Sequence, residues 1–577
     1  MAAEESEAKL QLFLQWLQTN GCQLRGCAIK SCGPNKGFGV FTSNFPSDDG
    51  VAMAVPLDLS INPMSVLQDP FIGRRCRAMF EDGDVDDRFL MILFLTVERL
   101  RSNSSWRPYL DVLPTTFGNP LWFTEDELAE LKGTTLHRAS VLQRKNLQAL
   151  YDDKVKVLVD ELLPGDVSIR EVQFEDFLWA NSIFWTRALS IPFPRSYVFP
   201  GSLGDQNYIS VCHNCDFGAS EEGMGSDVFD DRNGGRHGDN CAVLHKENSD
   251  EISKSEDGET VWVEGLVPGI DFCNHGYADT FFKAILYSSY PSSYLFLKPE
   301  AIWDVDRMGS MTGIPSSMYL LLANPNKIEM DKEICISYGS KGNEELLYLY
   351  GFTIDNNPSD FLMVNYPFEL LQNAPLSVSK GKLLELQKAE LRCLLPRSLL
   401  DTGFLTGCLK DEKCQLSNFS WSGQRKFPSY AHKLVFPQEF MAALRIISMQ
   451  DHEIKKATSL LEELVGSIDG KYASATDVQA AVWETCGDYA ALELLVDLLR
   501  VKMTELEDGS GTEEADSKLL DDYHHFDLEG RRSFAEVKRA TRIWRDCVVY
   551  RKGQKQLVRL FLQEAEHALE LCASEPQ

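Results

Sequence analysis

Two groups of short strand-like segments, separated by a long helical and acidic stretch, constrain the fold of this chain more than any other feature. The first group begins at Gly37 with the runs GFGVFTSNF and VAMAVPLDLSIN, in which β-branched and aromatic residues are punctuated by Gly, Pro and Asp. This composition predicts small antiparallel strands. The second group consists of VWVEGLV, SYLFLKP and EICISYG, which predict further strands.

Helical periodicity surrounds these segments. The first element is a predicted amphipathic helix that stops at Asn20-Gly21, and its apolar stripe consists of Leu10, Phe13, Leu14 and Leu17. From about Asp87 to Leu189 the pattern is helical again, and FLMILFLTVERL predicts a buried helix. A second apolar stripe in this region consists of Phe174, Phe177, Leu178, Phe184 and Trp185.

Two acidic segments interrupt the chain. Asp216 to Thr260 contains thirteen Asp or Glu, four Lys or Arg and seven Gly, a composition that predicts a disordered loop. The run EDGSGTEEADS from Glu507 predicts a linker between two helical stretches of the last third. The apolar stripes of those stretches are Leu492, Leu495, Val496 and Leu499, and Leu557, Leu560, Phe561, Ala565 and Ala568.

These changes of pattern divide the 577 residues into four parts, since a chain of this length exceeds one ordinary core. Residues 1–75 contain the N-terminal helix and the first strands. Residues 76–260 form a helical insertion that ends in the acidic loop (about 216–260). Residues 261–360 contain the second group of strands, and residues 361–577 form a helical C-terminal lobe.

Charge and composition exclude several functions. The net charge of −29 argues against direct nucleic-acid binding, which requires clustered Lys and Arg. No run approaches the ~20 apolar residues of a membrane span. The start is acidic (Glu4, Glu5 and Glu7), unlike a transit peptide, and fifteen cysteines without a secretory signal are expected to stay reduced. We therefore expect a protein of the cytoplasm or nucleus that does not associate with membranes.

Three motifs carry side chains suited to binding or chemistry, although none decides a function alone. Gly37-Phe38-Gly39 has two residues without a Cβ, which lets the backbone approach a ligand closely; a glycine-bearing hairpin turn is the alternative. Asp271-Phe272-Cys273-Asn274-His275 offers donors and acceptors that could hold a nucleoside or an amino-acid end group. A buried turn network is the alternative for this second motif.

The third motif combines Ser337-Tyr338-Gly339, the run NEELL from Asn343, and Tyr350-Gly351-Phe352. A tyrosine beside glycine at a strand end can aim its hydroxyl into a cleft, and a second tyrosine twelve residues further on could face it. Tyrosines packed in the core are the alternative.

In this order, the blocks G-x-G, D-x-x-N-H, SYG, NEELL and YGF resemble the SET domain, specifically its Rubisco large-subunit methyltransferase-like branch. The resemblance runs from FLQWLQTNG to about Asp360 and more weakly through the C-terminal helices, including YRKGQK at Tyr550 to Lys555. It implies an α+β fold, in which a SET-domain β fold with a threaded C-terminal segment and a helical insertion precedes an all-α, substrate-binding-type lobe. It also implies protein methylation with S-adenosylmethionine as the cofactor.

Carried over residue by residue, the resemblance implies that Tyr338 is the catalytic tyrosine and that Tyr350 and Arg187 bind the substrate. Arg187, in WANSIFWTRAL, also resembles the arginine that pairs with the cofactor carboxylate. The backbone of Asn274 and His275 would hold the adenine. All positions implied to bind the cofactor are Gly37, Phe38, Gly39, Gly50, Val51, Ala52, Arg187, Asp271, Phe272, Cys273, Asn274, His275, Gly351 and Phe352.

One stretch departs from the family pattern. Gly50-Val51-Ala52 lies where relatives usually carry an acidic residue that contacts the cofactor. Asp48 and Asp49 precede this stretch, so a local shift could restore the acidic contact.

We therefore expect an S-adenosylmethionine-dependent protein N-methyltransferase that acts on a lysine of a non-histone protein. Lysine is favoured because Tyr350 matches the tyrosine that helps to bind the substrate ammonium in lysine-modifying relatives. The protein substrate is expected to be basic and the enzyme monomeric. Two alternatives stay open: a protein-histidine methyltransferase, and a catalytically inactive SET-like adaptor, which Gly50 and the acidic insertion would suit.

A structural zinc site is a further alternative, suggested by Cys212-His213-Asn214-Cys215 with His237 and Cys241. The second pair has an unusual spacing and falls in the acidic loop. We therefore expect no metal site.

Overall fold

The computed structural model of the chain describes residues 2–33, 36–43, 49–163, 170–198, 260–276, 301–323, 329–339, 341–365, 377–385, 420–424, 436, 438–465, 473–526 and 542–574. The chain divides into two compact units, the first made of residues 1–116 and 150–339 and the second of residues 117–149 and 340–577. The zinc motif, the run SYLFLKP and the acidic loop up to residue 259 lie outside the described residues.

Short antiparallel strands form the β part of the first unit, as the Gly- and Pro-punctuated runs predict. They are β1 Gln23–Leu24, β2 Cys27–Ser31, β3 Phe38–Thr42, β4 Val51–Pro56, β5 Leu189–Pro194, β6 Thr260–Gly265, β7 Ala301–Asp306 and β8 Ser317–Leu322. Four of them form a sheet in the order β1-β4-β8-β7, while β2 pairs with β3 and β5 pairs with β6. β4 is irregular between Val51 and Met53, which is typical of a β-bulge.

The run EICISYG does not form the predicted strand. Glu333 makes a single antiparallel bridge to Phe41, and Ile336 makes a single parallel bridge to His275. Because the two bridges involve different partners that run in different directions, no ladder of consecutive pairs develops along the run. The segment instead joins β3 to the Asp271–His275 motif.

The helices of the first unit bury the apolar stripes identified in the sequence. Leu10, Phe13 and Leu17 are buried, and nearly every residue of helix Asp87–Leu100 is buried as well. Asp86 caps this helix by accepting a hydrogen bond from the backbone N–H of Phe89 (2.8 Å). The helices are Ala2–Thr19, Pro63–Gln68, Gly73–Glu81, Asp87–Leu100, Arg107–Leu110, Lys156–Leu162, Phe174–Arg187 and Arg195–Val198, with 3₁₀ turns Leu57–Leu59 and Ile270–Phe272 and a π turn Tyr151–Val155.

The second unit is helical, as the last third of the sequence predicts. Its strands β9 Phe361–Asn365 and β10 Ser420–Gln424 pair with each other. The helices are Glu125–Ala129, Thr135–Leu150, Asn343–Glu345, Ser377–Glu385, Gln438–Ser448, Asp451–Val465, Ala475–Trp483, Tyr489–Glu507, Glu513–Phe526 and Arg542–Ser574, with a 3₁₀ turn Pro120–Trp122 and a π turn Leu346–Tyr350. Among all helices in the described ranges, none has both the length and the apolarity that a membrane span needs.

Most of the described C-terminal helices share one hydrophobic core, while Leu520 and Trp544 belong to a separate smaller cluster. Residues of both predicted stripes, such as Leu495, Leu499, Leu557 and Phe561, belong to the same buried cluster. The stripes therefore face each other, which confirms the pattern read from the sequence.

The prediction that the acidic run from Glu507 is a linker is wrong for the second half of the run, which is helical from Glu513. Helix Glu513–Phe526 begins inside that run, and Asp516 is completely buried. The physical reason is ion pairing: Asp516 accepts hydrogen bonds from Lys555 (2.6 Å) and from Arg551 (2.8 Å), both on helix Arg542–Ser574. Arg551 also binds Glu130 (2.5 Å), and we call these four residues the C-terminal ion cluster.

The NEELL run holds a second buried polar group of this unit. Glu344 accepts hydrogen bonds from the hydroxyls of Thr135 (2.6 Å) and Tyr550 (2.7 Å). Burial raises the pKa of Glu344 above its usual value, and burial also raises the pKa of Tyr550. The NEELL and YRKGQK runs are thus joined inside the second unit by a hydrogen bond.

Candidate active site

The G-x-G motif lies at the turn of the β2–β3 hairpin, where its two glycines serve different needs. Gly37 has a φ of +71°, in the left-handed region that favours glycine, and an added Cβ there would meet nothing within 4 Å. Gly39 lies in β3 opposite Lys30. A Cβ on Gly39 would be 2.5 Å from Cys32 Sγ and 2.9 Å from Glu333 Oε1, so this position requires glycine for close packing.

The Asp271–His275 motif follows a turn at Gly269, whose φ is +101°. The Asp271 carboxylate is buried and accepts hydrogen bonds from the Tyr109 hydroxyl (2.5 Å) and from the backbone N–H of Gly269 (3.1 Å). Burial raises the pKa of Asp271 to about 6, although Arg187 and Tyr109 oppose this shift. Burial also raises the pKa of Tyr109 well above its usual value, so Tyr109 acts as a neutral donor.

Arg187 reaches this motif from the end of helix Phe174–Arg187. Its Nη1 donates to the backbone carbonyl of Asp271 (2.9 Å) and lies 3.8 Å from the Asp271 carboxylate. The guanidinium also lies 4.6 Å from the centre of the Phe272 ring, a cation–π contact. A guanidinium has five N–H donors, and within the described part of the chain Arg187 uses one of them in a hydrogen bond.

Tyr338 packs beside His275 on the other side of the motif. The two ring centres are 5.1 Å apart, and the backbone N–H of Tyr338 donates to His275 Nδ1 (3.1 Å). Because Nδ1 is an acceptor, neutral His275 carries its proton on Nε2. The Tyr338 hydroxyl donates to the backbone carbonyl of Cys273 (3.0 Å). The hydroxyl is therefore held at the motif rather than in a hydrophobic core.

Asn274 is fixed by a carboxylate that the motifs did not reveal. Its side-chain amide donates to Glu333 Oε1 (2.6 Å), and its backbone carbonyl accepts from the N–H of Ile336 (3.0 Å). We call Arg187, Asp271, Asn274, His275, Glu333 and Tyr338 the site cluster.

Glu333 and Tyr109 are the participants that sequence reasoning missed. Glu333 had one signal, since it is the only charged residue in the run EICISYG. Tyr109 had none, because it meets Asp271 only through the fold.

The Gly50–Ala52 stretch leads into β4, and its predicted role in cofactor binding stays a prediction. Val51 and Ala52 lie in β4 with no exposed surface, and Gly50 adopts a φ of +73° just before this strand. Asp49 accepts a hydrogen bond from the N–H of Val51 (3.0 Å) and pairs with Arg25 (3.4 Å). Asp48 lies outside the described residues.

Tyr350, Gly351 and Phe352 belong to the second unit. Tyr350 ends the π turn Leu346–Tyr350, and Gly351 follows at a φ of +73° with its N–H bonded to the carbonyl of Leu347 (3.1 Å). A Cβ on Gly351 would collide with the backbone of Gly118, so glycine is required here for packing as well as for conformation. The rings of Tyr350 and Phe352 are 6.3 Å apart.

Comparison with known proteins identifies relatives that are named as N-methyltransferases. No protein-family model matches the chain. Curated relatives include the chloroplastic ribulose-1,5 bisphosphate carboxylase/oxygenase large subunit N-methyltransferase of Pisum sativum, 30% identical over 182 residues. The chloroplastic [fructose-bisphosphate aldolase]-lysine N-methyltransferase of Arabidopsis thaliana is 28% identical over 190 residues, and the actin-histidine N-methyltransferase of Homo sapiens is 26% identical over 184.

These sequence matches are partial. They cover 31%, 33% and 31% of this chain and 35%, 37% and 30% of the respective relatives. The chain therefore matches well under half the length of each curated relative.

Solved structures match the fold along nearly the whole chain. A crystal structure of the SET domain of LSMT bound to lysine and AdoHcy superimposes with a TM-score of 0.58 at 18% identity, covering 98% of this chain and 93% of that one. A structure of Rubisco LSMT bound to AdoMet gives a TM-score of 0.55 at 17% identity, with coverages of 97% and 92%. The chain therefore has the α+β fold of these SET-domain structures, which confirms the fold that the resemblance implies.

Proposed function

We propose that this protein is an S-adenosylmethionine-dependent protein N-methyltransferase that acts on a lysine side chain of a non-histone protein. The observation that carries the proposal is the position of Tyr338, whose hydroxyl is bonded to Cys273 and whose ring lies beside His275, inside the motif implied to hold the cofactor. The names of the relatives support protein N-methylation, and that of the Arabidopsis thaliana relative specifies a lysine acceptor.

The donor set of the site cluster fits S-adenosylmethionine. The methionine part of this cofactor ends in a carboxylate, for which a guanidinium is a well-matched partner. Arg187 provides a guanidinium that is already oriented by Asp271 and Phe272. When bound, the cofactor supplies a methyl group that is activated by the positive charge of its sulfonium.

Tyr338 acts through orientation and electrostatics in this proposal. Its hydroxyl donates to the Cys273 carbonyl, which fixes the position of the phenolic oxygen, and an oxygen held in this way can accept weak CH···O contacts from a polarised methyl group. His275 receives the backbone N–H of Tyr338 and so steadies the residue from a second side. Positioning of this kind supplies much of the acceleration of a transfer between two bound groups.

The acceptor amine must lose its proton before it attacks. A lysine has a pKa of ~10.4, and desolvation in a closed site lowers that pKa, so that the amine can release its proton to water without a dedicated base. Tyr350 is proposed to bind this amine, because the family resemblance implies that role for it. The location of the protein in the cell, its basic substrate and its monomeric state stay predictions.

The first test is direct. Purified protein is titrated with S-adenosylhomocysteine in a calorimeter and then incubated with a cell extract and methyl-tritiated S-adenosylmethionine. We expect binding and a labelled protein band, with labelling about 10²- to 10³-fold slower for Tyr338→Phe because an oriented polar group at the reacting methyl is lost. Tyr489→Phe is the matched control, since Tyr489 is an exposed tyrosine (49% exposed) in the second unit.

The outcomes separate the alternatives. Absence of binding would favour the inactive adaptor, and unchanged labelling by Tyr338→Phe would remove Tyr338 from the catalytic role. Mass spectrometry of the labelled band decides between lysine and histidine, which matters because one relative is an actin-histidine methyltransferase.

A further inference from the structure

The carboxylate of Glu333 connects the two motifs that the family resemblance implies to bind the cofactor. Glu333 Oε1 accepts hydrogen bonds from the Asn274 amide (2.6 Å) and the Cys32 thiol (3.5 Å). Glu333 Oε2 accepts a hydrogen bond from the Lys36 ammonium (2.8 Å). Cys32 and Lys36 lie on the turn that leads into Gly37-Phe38-Gly39, so one side chain links the G-x-G turn to the D-x-x-N-H motif.

Glu333 is charged and mostly sheltered. Its side chain is 20% exposed, whereas that of Lys36 is 49% exposed. Burial alone would raise the pKa of Glu333, but the hydrogen bonds from Lys36 and Asn274 and the charge of Lys36 outweigh it and hold the pKa below its usual value. The carboxylate therefore remains an acceptor for both partners at neutral pH.

The contact between Glu333 and Asn274 leaves no room for a side chain at Gly39. A Cβ at Gly39 would lie 2.9 Å from Glu333 Oε1 and 3.1 Å from Asn274 Nδ2. Any side chain at this position would separate the pair or displace it. The second glycine of the G-x-G motif thus serves the contact between Glu333 and Asn274.

We propose that Glu333 is a positioning residue for cofactor binding: through its hydrogen bond to Asn274 it holds the D-x-x-N-H motif in register with the G-x-G turn. This inference rests on the proposed function. The Asn274 contact is the operative one, because the Asn274 backbone also belongs to the segment implied to bind adenine, whereas Lys36 is half exposed on the hairpin. Glu333 is not a catalytic residue in this proposal, since it acts through Asn274.

The experiment measures the Kd of S-adenosylhomocysteine by calorimetry for four variants, without any protein acceptor. Glu333→Ala removes the acceptor for Asn274 and is expected to weaken binding about tenfold. Glu333→Gln retains an oxygen acceptor at the same reach, and Lys36→Met leaves the Asn274 contact intact, so both are expected within about threefold of the original protein. Asp331→Asn is the matched control, because Asp331 pairs with Lys30 on the same hairpin but is 75% exposed.

The pattern of the four affinities decides the matter. If Glu333 only contributed an ion pair to the hairpin, Lys36→Met and Glu333→Gln would weaken binding as much as Glu333→Ala, and the proposal would be overturned. It is also overturned if Glu333→Ala binds within twofold of the original protein. If Glu333→Ala does not fold, as judged by circular dichroism, binding of both Glu333→Gln and Lys36→Met within threefold of the original protein supports the proposal. Equal weakening of both variants by tenfold, or Glu333→Gln binding tenfold more weakly than Lys36→Met, contradicts it. Failure of the unmutated protein to bind would overturn the proposed function itself.

Discussion

The C-terminal ion cluster and the site cluster each pair cations with carboxylates, but Lys555 and Arg187 differ in how many of their donors are engaged within the described part of the chain. Lys555 has no exposed surface, and its ammonium donates to Ser510 Oγ (2.9 Å), Gly511 O (2.6 Å) and Asp516 (2.6 Å). This uses all three of its donors. Arg187 uses one of five donors in a hydrogen bond within the described part of the chain.

This difference is the one expected between a structural role for Lys555 and the binding role proposed for Arg187. A buried charge whose donors are all engaged has nothing left for a ligand, and its contribution is to hold helices together. A guanidinium that is oriented but not saturated can still take a carboxylate. The YRKGQK and NEELL runs contribute to the family resemblance, yet their buried members Lys555, Arg551 and Glu344 are engaged within the second unit.

The largest expected effect comes from removing the carboxylate that the ion cluster shares. Asp516→Ala leaves Arg551 and Lys555 facing each other in a buried site without that anion. The free energy of unfolding is expected to fall by about 3–5 kcal/mol, the range for a broken buried ion pair. Urea denaturation followed by circular dichroism measures this change. A decrease in the free energy of unfolding of less than about 1 kcal/mol would mean that Asp516 does not form these buried ion pairs in solution.

A smaller effect is expected from the buried acid of the site cluster. Asp271 has a pKa of about 6 in the folded protein, above its ordinary value of 3.8. The folded state therefore takes up a proton at a higher pH than the unfolded state does. The resulting stabilisation is fully present below the unfolded pKa and is lost as the pH rises through 6.

Comparison with Asp271→Asn isolates this effect, since asparagine does not titrate. The free energy of unfolding of the original protein, relative to that of Asp271→Asn, is expected to increase by about 1.4 kcal/mol from pH 7.5 to pH 5. Urea denaturation at a series of pH values measures the difference. A difference that does not vary with pH would show that Asp271 titrates as it does in the unfolded chain.

The smallest effect is expected from an ion pair with the same distance but without burial. Arg500 and Glu566 lie 2.8 Å apart, as Arg551 and Asp516 do, but their side chains are 59% and 41% exposed. Arg500→Ala is expected to lower the free energy of unfolding by about 0.2–1 kcal/mol, because exposed pairs are well screened by water. The same denaturation assay applies. A loss as large as that of Asp516→Ala would refute burial as the cause of the difference between the two pairs.

Much of the fold was predictable because hydrophobic period is a local property. The stripe Leu10, Phe13 and Leu17 is buried as its spacing indicates, and β3 and β4 lie within the Gly- and Pro-punctuated runs. Asp516 was not predictable in the same way. Its surroundings in the sequence are acidic and glycine-rich, and the bases that bury it are on a helix near the end of the chain.

The candidate site likewise has a part that the sequence predicts and a part that only the fold shows. The sequence by itself indicated most of the helices and short strands, and through ordered motifs it indicated Tyr338, Asn274 and His275. Only the tertiary structure decided which groups surround them, because Glu333 and Tyr109 meet the Asp271–His275 motif through contacts between residues 59 and 162 positions apart. Contacts of this kind depend on how distant segments of the chain pack against each other, so they cannot be predicted from a local sequence pattern.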